Sequence, residues 1–76
     1  MDLPDDLITL ETTAETERAK LEGLAGAEHG AQWRAWRDAA ERVQAAITAH
    51  ATAVGANRVD VEMAVKRIVR HEGPAE

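Results

Sequence analysis

Seven positions in the middle of the chain fall on one helical stripe: Trp33, Trp36, Ala40, Val43, Ile47, His50 and Val54. Their spacings alternate between three and four residues, the pattern of an α-helix lying lengthwise on another helix. No proline interrupts the stretch, and Gly55 follows as a natural left-handed terminator. The pattern predicts a helix over residues 27–54, or from Ala31 if Gly30 breaks its start.

An earlier stripe reads Leu3, Leu7, Leu10, Ala14, Glu17, Leu21 and Leu24, widened by Ile8, and predicts a helix over 4–24. Pro4 suits a first turn, where its missing N–H costs nothing. Asp5 and Asp6 then face the positive end of the helix dipole. Thr9, Thr12, Thr13 and Thr16 are mediocre helix formers, so this helix depends on packing. A third stripe, Val61, Ala64, Val65, Ile68 and Val69, predicts a helix over 58–71. Asn57 is its N-cap, with Asp60 as a weaker form of the capping box. Gly73 and Pro74 stop it and leave 72–76 as a tail.

No strand pattern, repeat or low-complexity segment occurs. The expected fold is all-α: an antiparallel hairpin of two long helices with a shorter third helix, one small three-helix bundle spanning residues 1–76. In such a hairpin Leu21 meets Trp33, Leu10 meets Val43 and Leu7 meets Ile47. Glu17 falls beside Trp36 and Arg37, where it either reaches Arg37 or turns to water. The pairs Arg34–Asp38, Arg37–Glu41 and Asp38–Arg42 stand four apart on the solvent side.

Composition narrows the function more than the fold. A chain of 76 residues buries a modest core, and with no cysteine it has no disulfide or thiolate zinc site to strengthen it. Idealised helix packing or self-association must supply the rest. No apolar run approaches the roughly 20 residues of a membrane span. The acidic start does not read as a secretory signal, and the expected setting is cytoplasmic.

Catalysis finds no foothold. The chain has no Ser or Cys nucleophile, and Gly23, Gly26 and Gly30 fit no phosphate-binding spacing. His29, His50 and His71 are too far apart in sequence for a helical metal motif, and His50 reads as a core-edge residue. The chain is read as a non-enzyme without cofactor or metal. The two Trp residues share a face and read as core, with a binding hot spot as the alternative.

Two surfaces survive. On the back of the second helix, Ala31, Ala35, Ala45, Ala49 and Ala53 form a small-residue stripe, interrupted by Asp38 and Arg42, on which a second copy could pack in a homodimer. On the outer face of the third helix, Val59, Met63, Lys66, Arg67 and Arg70 combine an apolar start with a basic end, a docking patch for an acidic protein partner. Charge divides in the same sense. Residues 1–28 carry eight acidic and two basic side chains, whereas 29–76 carry six acidic and seven basic ones. The leading expectation is therefore a non-catalytic protein–protein interaction or oligomerisation module. The acidic first helix argues against nucleic acid as the main partner.

Residues 51–66 nevertheless carry a local resemblance. Ala51, Val54, Gly55, Val61 and Val65 stand at the small, apolar, turn-glycine and core positions of the helix-turn-helix of bacterial DNA-binding regulators, and Asn57 and Arg58 match its polar start to the recognition helix. The resemblance implies a third helix in the major groove, with Asn57, Arg58 and Glu62 near base edges and Lys66 near phosphate. A small DNA-binding transcriptional regulator is the alternative reading.

Overall fold

A computed structural model describes residues 2–72 and, among them, three helices and no strand: α1 (Asp5–Ala19), α2 (Gly26–Val54) and α3 (Arg58–Glu72). The all-α small bundle expected from the stripes is what forms. Only α2 is long; at 29 residues and 1.5 Å per residue it spans about 43 Å, the longest dimension of the molecule. The third helix is no shorter than the first, since α1 and α3 each have 15 residues. The expected Gly73–Pro74 stop and the His71 side chain lie outside what is described. Among the described residues no helix is long and apolar enough to cross a membrane.

α1 starts as the sequence suggests. Pro4 is extended and its carbonyl accepts from Leu7 N–H at 3.1 Å, with Asp5 and Asp6 in the first turn. It ends five residues earlier than expected. From Leu21 the backbone bonds tighten to three-residue spacing (Leu21 to Arg18, Glu22 to Ala19, Leu24 to Leu21), and Gly23 turns left-handed at φ 83°. Three-residue bonding is the usual way a helix end satisfies its orphan groups. α2 starts at Gly26 and runs through Gly30 without a break.

The α1–α2 connection is closed by Gln32, whose amide donates to Glu17 O at 2.7 Å and to Glu17 Oε1 at 2.9 Å. Residues on either side of the connection thereby meet, and α2 turns back along α1. Glu17 neither reaches Arg37 nor turns wholly to water. It accepts from Gln32 and from Lys20 at 3.1 Å, and these bonds hold its carboxyl below the usual carboxylate range. Arg37 pairs instead with Glu41 at 3.3 Å.

The core is made of Leu7 and Ala14 from α1, Ala39, Val43, Ile47 and Ala51 from α2, and Val61 and Val65 from α3. Leu3, Ile8, Leu10, Ala46, Ala56 and Val69 pack around it. Val43 and Ile47 occupy the inward positions the stripe assigned them, as do Leu7, Ala14, Val61 and Val65. The two ends of the α2 stripe are corrected. Trp33 is 41% exposed and Val54 is 57% exposed, while Ala39 and Ala51 are buried in their place. Gln32 takes the inward position beside α1, and successive residues of a helix turn by about 100°, so Trp33 is carried off the seam. Val54 is the last helical residue and runs past the packed layer. The buried alanines at 14, 39 and 51 carry no side chain beyond Cβ and so let helices approach closely. Both Trp side chains stand outside the central cluster.

Candidate functional site

α3 is placed by its first turn. α2 ends in a Schellman motif: Gly55 is left-handed at φ 70°, Ala56 N–H donates to Ala51 O at 2.9 Å, and Gly55 N–H donates to Thr52 O at 3.4 Å. Asn57 Oδ1 then accepts from Val59 N–H at 2.8 Å, the N-cap bond its residue type favours. Arg58 reaches back to α2. It donates through Nε to Thr48 Oγ1 at 2.9 Å, through Nη2 to Gln44 Oε1, and through Nη1 to Glu62 Oε1 at 3.4 Å. Gln44 also donates to Glu62 Oε2 at 3.3 Å. This network pins the rotation of α3, so Val61 and Val65 enter the core and the opposite face turns outward.

On that outward face Val59, Met63, Arg67 and Arg70 are exposed and Lys66 is half-buried. Val59 and Met63 are 55% and 57% exposed, which is ordinary for single apolar side chains and gains interest from the cations beside them. Met63, Lys66, Arg67 and Arg70 line a groove of about 320 Å³. Arg67 and Arg70 are exposed along it. No acidic side chain interrupts α3 between Met63 and Arg70.

Lys66 departs from the expected free cation. Its ammonium donates to Glu11 Oε2 of α1 at 3.1 Å, and Glu11 is buried at 3% side-chain exposure while Lys66 retains 36%. Lys66 is thus both a wall of the groove and the counter-charge of a buried carboxylate. Glu11 was missed in the sequence because polar residues default to the surface. The available signal was its position four after Leu7 and three before Ala14, squarely on the buried stripe.

The alanine stripe of α2 is displayed in part: Ala31, Ala45, Ala49 and Ala53 are exposed, and Ala35 is half-buried. The stripe and the α3 patch stay separate surfaces on different helices. Near the α1–α2 connection, Trp33 and Trp36 meet edge to face at 6.3 Å and 66°, with the Arg37 guanidinium 5.6 Å from the Trp33 ring centre. His50 is half-buried, and its Nε2 has no hydrogen-bond partner among the described residues. Among those residues no three His, Cys, Asp or Glu side chains converge as metal ligands would.

The residues that the helix-turn-helix resemblance would send to DNA each make a bond within the chain. Asn57 caps α3, Arg58 and Glu62 are tied to α2 and to each other, and Lys66 holds Glu11. The chain matches no protein-family model, no curated protein and no solved structure.

Proposed function

We propose that this protein is a non-catalytic helical interaction module whose contact surface is the outer face of α3. One observation carries the reading. On the outer face of α3, Met63, Lys66, Arg67 and Arg70 line a groove that joins an apolar side chain to cations, and Val59 is exposed one turn before it. An apolar anchor beside exposed cations suits a segment that is itself amphipathic and acidic, because desolvated methylenes supply affinity and complementary charge supplies orientation.

The test is affinity capture from the native cell with wild-type, Met63→Asp and Arg70→Glu baits, each shown by circular dichroism to keep its helices. The reading expects a partner of the wild-type protein to be lost with both variants. Retention of that partner by both would place the contact surface elsewhere.

The DNA-binding alternative draws its support from the tight α2–α3 corner. It expects retention of duplex DNA at low salt, where phosphate contacts are strongest, and a steep loss of binding as salt rises.

A further inference from the structure

α1 carries a second unpartnered stripe. Asp5, Thr9, Thr12 and Thr16 are all exposed and follow one another at intervals of four, three and four residues, on the side of α1 opposite Leu7, Glu11 and Ala14. Asp2, Asp6 and Thr13, also exposed, flank it. A solvated helix face is normally filled with Ala, Glu, Lys or Gln, which are better helix formers than Thr. Three threonines in a row on the stripe, with an acidic end, are a poor choice for solvent and a serviceable one for contact, since each offers a methyl beside a hydroxyl.

The α3 patch has the same spacing. Val59, Met63, Lys66 and Arg70 also follow one another at four, three and four residues, opposite Val61 and Val65. Laid antiparallel, the two stripes match position for position: Asp5 with Arg70, Thr9 with Lys66, Thr12 with Met63 and Thr16 with Val59, every pair having the same residue-number sum. Acid meets cation at one end, and threonine methyls meet Met63 and Val59 at the other. The antiparallel sense also sets the positive end of α1 beside the negative end of α3. Within one molecule, and among the described residues, Lys66 is the one member of either stripe bonded to the other helix, through Glu11, while Asp5 and Arg70 form no ion pair.

Resting on the proposed role of the α3 groove, we infer that its occupant is α1 of a second copy of this chain. Each copy offers one α1 stripe and one α3 stripe, so two copies satisfy both contacts around a two-fold axis and the assembly closes as a dimer. Knob-in-hole spacing of three and four residues on both partners gives that contact a defined register.

Sedimentation equilibrium of the wild-type protein, Asp5→Arg, Arg70→Asp and Met63→Asp tests this. The wild-type chain forms a reversible dimer, and each variant, checked for helicity by circular dichroism, dissociates at least about tenfold more readily. Mixing Asp5→Arg with Arg70→Asp restores dimerisation, because in the mixed pair both acid–cation contacts are attractive again. A wild-type chain that stays monomeric up to about 1 mM overturns the inference. So does a dimer that none of the variants weakens. Either result leaves the α3 groove itself intact as a binding surface if Met63→Asp still costs the captured partner, so the two readings fail separately.

Discussion

The Glu11 carboxylate, at 3% exposure, accepts a hydrogen bond from the Lys66 ammonium at 3.1 Å, while Lys66 remains 36% exposed. The pair joins α1 to α3, and its two members are not equivalent. Removing Lys66 leaves a negative charge in the core with no partner. Removing Glu11 leaves a cation that can turn to water. Lys66→Met is therefore expected to cost about 3 kcal/mol, whereas Glu11→Leu is close to neutral or stabilising. Urea denaturation of both variants checks the asymmetry, and equal losses would contradict it.

Ile47 and Trp33 reverse the ranking that residue size alone suggests. Ile47 is fully buried between three helices, and Ile47→Ala is expected to cost about 2–5 kcal/mol, enough to unfold much of a domain whose whole stability is of order 5 kcal/mol. Trp33 is 41% exposed and contacts Trp36 edge to face, so Trp33→Ala is expected to cost only about 1 kcal/mol. Thermal melts of the two variants compare them directly.

The buried Nε2 of His50 has no hydrogen-bond partner among the described residues. An unsatisfied buried polar atom is destabilising, and an apolar side chain of similar reach avoids that cost. His50→Leu is expected to raise stability by about 1 kcal/mol, read as a higher denaturant midpoint with an unchanged slope.

Glu17 links stability to pH. Its folded carboxyl lies below its ordinary value, chiefly through the Gln32 amide and then through Lys20. A depressed carboxylate stabilises the fold fully above the unfolded value and loses that contribution as pH falls through the folded one. Gln32→Ala removes the main cause, so the variant should show a smaller drop in Tm between neutral and acid pH than the wild-type protein. An identical drop would mean that the interhelical bond does not carry the linkage.

Much of this was legible in the residues. Leu7, Ala14, Val43, Ile47, Val61 and Val65 announce their burial through helical spacing, since the 3.6-residue turn leaves an apolar stripe only one way to face. Gly55 and Asn57 mark the α2–α3 corner because each has a local role that few other residues fill as well. The α3 patch was readable as the complement of its core stripe. Glu11 stood on the buried stripe, but its counter-charge, Lys66, lies 55 residues away; Gln32 and Arg58 were not readable, because each owes its position to partners on another helix, Glu17 for Gln32 and Gln44 with Thr48 for Arg58.

By itself, the order of residues determined that there would be three helices, which faces would be apolar and where the chain would turn, since these follow from spacing and from backbone preferences within a few residues. Only the packing of the helices decided that alanines rather than tryptophans fill the α2 seam, that a glutamate is buried, and that Lys66 serves two surfaces at once. Those outcomes depend on the rotation and separation of whole helices. They are set by the fit of side chains from distant parts of the chain, which no local pattern encodes.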